Sequence, residues 1–339
     1  MPARRSSIDS GLRPGAPTVR LRRLRRTPAL REWVAETDLP PRRLIYPIFV
    51  KPGTGSPEAI DSMPGIVRYP VRGLPALARA LEEEGILSVL VFGAARTKDA
   101  EGREAWAPDG VVPAAVRAIR GAAPRLVIGT DVCLCAYTNH GHCGVIRDGA
   151  VANDPTTERL ARVALAHARA GADVVAPSAM MDGAVARIRA ALDARGFEET
   201  AILAYASKHA SAFYGPFREA EGSTPAFGDR RGYQLDWRNG REALRAMERD
   251  AAEGADALLV KPALTSLDLL ARARRRFLLP LAAYQVSGEY AMIKAAAARG
   301  LVDERAAVEE TLGAIRRAGA DLIVSYFARD VARWAREDR

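Results

Sequence analysis

The 339-residue chain has almost no lysine: of 50 basic residues, Lys51, Lys98, Lys208, Lys261 and Lys294 are the only five, and the rest are arginine. Cysteine is scarcer still. Cys133, Cys135 and Cys143 are the whole supply, and all three fall in "DVCLCAYTNHGHCG". Each shortage excludes something. Three thiols in one short stretch cannot build a disulfide framework, so a reducing compartment is expected, with the thiols used for metal binding or catalysis. No run approaches the ~20 apolar residues of a membrane span, so no membrane anchor is expected. No apolar stretch follows the arginine-rich N-terminus, which argues against a secretory leader and for a cytoplasmic protein. No GxGxxG loop supports an open dinucleotide-binding sheet.

What is present reads as globular: 48% of residues are hydrophobic and 27% charged. The net charge of +9 is uneven, because residues 1–26 hold eight arginines and a single acid, Asp9, while the remainder is nearly neutral. A basic arm can touch nucleic acid. This one has no aromatic interleaved with its charge, so nucleic-acid binding is not expected and packing on a neighbouring subunit is. The arm is placed at residues 1–35, and a single large domain at 36–339.

Within that domain, short apolar, β-branched runs alternate with segments of helical apolar spacing. Strands are expected near 43–50, 88–93, 125–133, 173–178, 201–207, 256–262, 280–287 and 321–327. Several helices stop at glycine just before a strand, in "RAGAD", "EGAD" and "RAGAD" again. Eight strand–helix units imply parallel strands with helices outside, a (β/α)8 TIM barrel, with a doubly wound sheet as the other architecture considered. In such a barrel catalytic residues lie at the C-terminal ends of strands. Cys133, Ser178, Lys261, Ser287 and Tyr326 fall at expected strand ends, and Lys208 falls just after one.

The chemistry of these residues converges. Arginine cannot lose its proton, whereas a buried lysine can, and its neutral amine is a nucleophile. Lys208 and Lys261, on neighbouring strands and retained against a strong arginine bias, are read as Schiff-base lysines. The alternative is two structural lysines, each paired with a carboxylate. The spacing C-x-C-x7-C offers zinc three thiolates, with one position open or filled by His140 or His142; a metal-free, redox-sensitive thiol cluster is the alternative. The long connection between strands five and six carries Arg218, Arg230, Arg231 and Gln234, a lid able to grip a carboxylate.

The stretches "TDVCLCAYTNHGHCG", "YASKHASAFYGPFREA", "LLVKPALTSLD", "YQVSGEYAMI" and "GADLIVSYF" together resemble the porphobilinogen synthases, or delta-aminolevulinic acid dehydratases, of the zinc type. The resemblance implies condensation of two 5-aminolevulinate molecules to porphobilinogen with loss of two waters, a step of tetrapyrrole and heme synthesis. It implies that Lys261 forms the Schiff base with the substrate giving the propionate side, and Lys208 the other. Ser287 and Tyr326 match the residues holding the first carboxylate; Arg218, Arg230 and Gln234 match those holding the second. Cys133, Cys135 and Cys143 match catalytic zinc ligands, with Asp131 beside them to orient the site or relay a proton. It also implies a homo-oligomer, commonly an octamer, with the N-terminal arm wrapping a neighbour. Glu242 matches a glutamate that binds an allosteric magnesium in some members. Here Ala179 and Ala184 replace an acid and an arginine near that site, which weakens the case for magnesium. "KPALTS" also departs from the family pattern after Lys261. Two rival readings are a Schiff-base barrel lyase of the class I aldolase type, which would not need three cysteines, and a non-catalytic protein that binds zinc or nucleic acid.

Overall fold

The computed structural model describes residues 19–338. The chain divides into two compact units, Met1–Asp38 and Leu39–Arg339. The part of the basic arm before residue 19 lies outside the described residues. In the first unit, a 3-10 turn at Leu21–Arg25 precedes a short helix, Pro28–Trp33, whose N-terminus is capped by the Thr27 hydroxyl accepting from Leu30 N–H at 3.2 Å.

The second unit is a closed barrel of eight parallel strands. They are β1 (Leu44–Lys51), β2 (Ser88–Gly93), β3 (Val127–Val132), β4 (Val174–Pro177), β5 (Ala201–Lys208), β6 (Ala257–Lys261), β7 (Leu281–Gln285) and β8 (Leu322–Ser325). Each pairs with its sequence neighbours, and β8 pairs with β1 to close the ring. The strands are buried on both faces because side chains fill the barrel and helices cover it, which is why they read as continuous apolar runs. The helices show the complementary pattern. Val111–Ala122, for example, buries Val112, Ala115, Val116 and Ile119 at three- and four-residue spacing.

Strand positions match the sequence expectation closely, with small shifts at the ends. Lys208 is the last residue of β5 rather than the residue after it. Ser287 opens the helix Ser287–Ala298 instead of ending β7. Small strands at Glu58–Ala59 and Val67–Pro70, and a hairpin at Ile146–Arg147 and Ala150–Val151, were not foreseen.

The thrice-repeated Gly-Ala-Asp before a strand does more than cap helices. Gly171, Gly254 and Gly319 all adopt positive φ, ending their helices in the left-handed conformation. The aspartate two residues on then braces the neighbouring strand. Asp173 accepts from Ile128 N–H (2.7 Å), Asp256 from Ile202 N–H (2.7 Å) and Asp321 from Leu281 N–H (2.9 Å). Arg120 and Arg274 pair with Asp173 and Asp321 at 2.5 and 2.6 Å. The N-terminal end of the barrel is thus held by repeated charge-assisted hydrogen bonds.

Candidate active site

The chemistry collects at the opposite end. Lys208 and Lys261 are register partners across β5 and β6. The pairing slips between Leu258 and Val260, where four residues of β5, Ala204 to Ser207, stand against three of β6. That irregularity matters. In a regular strand Tyr205 and Lys208, three apart, would face opposite sides. Here the Lys208 ammonium lies 5.5 Å from the Tyr205 ring centre, and that of Lys261 5.4 Å from the same ring. The bulge is what lets both amines share one floor.

Both lysines are buried. Lys208 donates to the Ser178 carbonyl at 2.6 Å. Among the described residues Lys261 makes no ion pair; its ammonium is boxed by Tyr284, Phe217 and Tyr214 at 4.1, 4.7 and 5.2 Å from their ring centres. Burial, and then the neighbouring charge of Lys208, pulls its pKa down to about 7, against the opposing effect of Asp131 and Glu221. Near pH 7 a large share of the Lys261 amine is therefore neutral and nucleophilic, where a free lysine is almost wholly charged. Asp131, at the end of β3, is pushed up to about 6, first by burial and against the pull of Lys208. Its Oδ1 is buried without a hydrogen-bond partner.

The three cysteines follow β3. Their sulfurs all lie within 4.8 Å of one another, with Cys133 and Cys135 at 3.5 Å, and all are buried and unpaired by disulfide. Among the described residues this is the one His, Cys, Asp and Glu cluster compact enough to hold a metal ion. The donor set, three soft sulfurs converging away from bulk water, fits zinc. Hydrogen bonds from Cys133 and Cys135 hold the Cys143 thiol well below its ordinary pKa, so one thiolate is already favoured.

The histidines left open as further ligands are engaged elsewhere. His140 Nε2 meets the Ala100 carbonyl at 3.1 Å, and its Nδ1 accepts from His142 N–H at 3.1 Å. His142 meets Tyr233 Oη at 3.1 Å and the Phe227 carbonyl at 2.9 Å. They join the cysteine loop to the lid and add no fourth donor.

The lid runs from β5 to β6 and carries the helix Gly215–Glu221. Arg218, Arg230 and Gln234 line an open pocket of about 540 Å³ together with His209, Trp237 and Pro262. Arg230 is buried and donates to the carbonyls of Gly141 (2.9 Å) and Ser223 (2.5 Å). Its Nε, the Arg218 Nε and both amide atoms of Gln234 are buried with no partner, as donors and acceptors waiting for a ligand would be. Arg231 lines the same pocket but is exposed. Arg230 also reaches a second, closed pocket, lined with it by Asp131, Cys135, Lys208, Lys261 and Glu221.

Ser287 and Tyr326 line neither pocket. The Ser287 hydroxyl accepts from Phe217 N–H (3.0 Å) and donates to the Phe213 carbonyl (3.3 Å), clasping the lid. Gly288 lets the lid approach, since a Cβ there would sit 2.6 Å from the Phe213 oxygen. Tyr326 shares a hydrogen bond with Tyr284 at 2.9 Å, directly beneath Lys261. Glu242 stands apart, accepting from Asn239 at 3.0 Å in a cavity of about 900 Å³ that also holds Arg245 and Arg249. Ala179 and Ala184 are buried.

Glu221 is the site residue that sequence reasoning missed. It is buried, its Oε2 lies 3.9 Å from Cys135 Sγ, and burial pushes its carboxyl well above the usual range.

Comparison with known proteins agrees along the whole length of this arrangement. The family model of delta-aminolevulinic acid dehydratase matches residues 18–334. The chain is 56% identical over 318 residues to the delta-aminolevulinic acid dehydratase of Methanothermobacter thermautotrophicus, covering 93% of this chain and 97% of that one. It is 50% identical over 313 residues to that of Escherichia coli, covering 92% and 96%. In structure it is similar to the delta-aminolevulinic acid dehydratase (porphobilinogen synthase) of Toxoplasma gondii in complex with the product porphobilinogen. The TM-score is 0.93 at 44% identity, covering 95% of this chain and 93% of that one. Two buried lysines side by side beneath a cysteine loop, on a barrel that matches from end to end, place this chain in the delta-aminolevulinic acid dehydratase family.

Proposed function

We propose that this protein is a porphobilinogen synthase, a hydro-lyase that condenses two molecules of 5-aminolevulinate and releases two waters. The observation that carries the reading is the pairing of Lys208 with Lys261 over Tyr205, because two amines at one site can each take a ketone. The Lys261 amine attacks the substrate ketone and expels water to form an imine. The imine withdraws electrons and acidifies the adjacent carbon, whose carbanion equivalent forms the carbon–carbon bond. Lys208 holds the second molecule in the same way. Asp131, whose Oδ1 is buried without a partner and whose pKa is pushed up to about 6, accepts or returns a proton beside Lys208. Arg218, Arg230 and Gln234 hold the second substrate's carboxylate. Ser287 and Tyr326 hold the first's once the lid contacts of Ser287 give way to it. The aromatic box around Lys261 keeps water from the imine.

Cys133, Cys135 and Cys143 hold zinc in this reading. When bound, it supplies Lewis acidity toward the second substrate's carbonyl or amine. The protein acts in the cytoplasm as a homo-oligomer, an octamer on the resemblance. The arm, residues 1–35, packs on a neighbouring subunit, and residues 36–339 form the catalytic domain. Neither nucleic acid nor membrane is a partner. Among the described residues Glu242 belongs to no metal-sized group of three or more donors, and its cavity mixes Asp182 and Asp236 with Arg231, Arg245 and Arg249, so it gives an allosteric magnesium little support.

The test is porphobilinogen formation by purified protein, before and after chelation and with zinc restored. Loss and recovery of activity support both activity and cofactor. Activity indifferent to chelation removes zinc from the account. No product from folded, zinc-loaded protein refutes the activity.

A further inference from the structure

We infer that Glu221 is a fourth donor to the metal held by Cys133, Cys135 and Cys143. The inference rests on the reading that the cysteine cluster binds zinc, and goes beyond it by completing the coordination shell from the lid.

Glu221 occupies a place that is costly for a carboxylate. It is 4% exposed, where a carboxyl is costly to ionise, a cost that the charges of Lys261 and Arg230 in the same pocket only partly oppose. It is also the last residue of the helix Gly215–Glu221, where the carbonyl ends of the helix repel negative charge. Its one hydrogen-bond partner among the described residues is the thiol of Cys135, a poor one for an acid. A divalent cation at the sulfurs would convert all three costs into attraction.

The fold holds the side chain there. Arg68 donates from Nε to the Ala220 carbonyl (2.6 Å) and from Nη2 to the Glu219 carbonyl (2.8 Å). Lys98 donates to the Gly222 carbonyl at 2.5 Å. Gly222, at φ +56°, then turns the chain away. Two cations from elsewhere in the chain, Arg68 on the strand Val67–Pro70 and Lys98 on a loop, therefore clamp the end of the lid helix just where Glu221 points inward. Lys98 is one of the five lysines of the chain, and this clamp gives it a use.

The geometry suits a shared ion. Zinc takes a thiolate at about 2.3 Å and a carboxylate oxygen at about 2.0–2.2 Å, which puts adjacent tetrahedral donors roughly 3.6 Å apart. The observed separation from Cys135 Sγ is 3.9 Å, but the carboxylate is not within 4.8 Å of all three sulfurs, so a swing of the side chain about its rotatable bonds has to carry it onto the ion. Among the described residues, both histidines of the loop are engaged, and Asp131, the other acid of that pocket, has no hydrogen bond to a sulfur. Glu221 approaches from the pocket side of the cluster, beside Lys261. A monodentate carboxylate there is a donor that substrate can displace. The lid and the metal would then be coupled, because binding at the ion would release the lid helix from it.

The experiment is zinc affinity, measured by competition with a chromophoric chelator on full-length protein, paired with visible spectra of the cobalt(II)-loaded protein. Wild type is expected to bind one zinc per chain. Glu221→Gln is expected to bind it about tenfold or more weakly and to change the cobalt ligand-field bands. Glu221→Ala, which removes a buried acid and is expected to fold at least as stably, should do the same. Equal affinity and identical cobalt spectra in wild type and both variants would overturn the fourth donor and leave the cysteine site standing. Wild type that binds no zinc would overturn both.

Discussion

The two ends of this barrel use their polar groups in opposite ways: half-exposed or exposed aspartates at one end, buried groups at the other. At the N-terminal end, Asp173, Asp256 and Asp321 each accept a strand N–H, and two of the three also carry an arginine. At the C-terminal end, Asp131 Oδ1, Tyr205 Oη, Ser207 Oγ, the Arg230 Nε and the whole amide of Gln234 are buried with nothing to bond. The bracing aspartates of the first end are satisfied and hold the strands in register, while His167 near that end is buried with both ring nitrogens unpartnered. The other end is left unsatisfied and is stable only because the first end and the apolar core offset its cost. An enzyme needs its open valences where the substrate goes, so the division separates folding from function along a single axis.

That comparison can be broken by substitution. The largest expected effect is at Lys261. Lys261→Ala should lower the rate of porphobilinogen formation by at least about 10⁴-fold, because no other amine can form that imine. The same change should leave thermal stability unchanged or raised, since it removes a buried cation without a carboxylate partner. A substantial fall in melting temperature would mean that Lys261 is structural after all. Arg230→Ala comes next. It should raise the KM for 5-aminolevulinate by about tenfold or more, with a smaller change in kcat, as expected for a lost carboxylate contact.

The opposite end should respond in the opposite sense. Asp321→Ala removes the acceptor for Leu281 N–H and for Arg274, and should cost about 2–3 kcal/mol of stability in denaturant titration. Its kcat at moderate temperature should stay within about twofold of wild type, since the change is expected to leave the reacting groups in place. A large loss of kcat in folded Asp321→Ala would show that the two ends are not independent.

The smallest effect is in pH dependence. The Lys261 amine must be neutral to attack, and its pKa lies at about 7. The rate constant kcat/KM should therefore fall on the acid side with a midpoint near that value. The same depressed pKa has a consequence for stability. Between about 7 and the ordinary lysine value the unfolded chain binds the extra proton, so stability should rise with pH across that window. Lys261→Ala should flatten that rise.

Much of this was legible in the sequence, for identifiable reasons. The eight strands were visible because apolar runs buried on both faces contrast with amphipathic helices. Lys208 and Lys261 stood out because nearly every other cation is arginine. The cysteines stood out because no others exist. What escaped depends on tertiary placement. Nothing local marks the bulge in β5 that turns Lys208 onto the same floor as Tyr205; only pairing with β6 exposes it. Glu221 looked like one more acid on a short helix until the lid docked it against Cys135. His140 and His142 looked like ligands by spacing, yet loop-to-loop hydrogen bonds claim them. The strand-bracing role of the Gly-Ala-Asp repeats had a signal, the aspartate following each cap, and it was read only as a helix end.

The most direct measurement is reductive trapping. The protein is incubated with isotopically labelled 5-aminolevulinate, reduced with borohydride, and digested for peptide mass mapping. Label is predicted on the β6 peptide at Lys261, and on the β5 peptide at Lys208 when both sites are filled. Active enzyme that yields no lysine adduct, or that carries label only at Lys51, Lys98 or Lys294, would contradict the account at its centre.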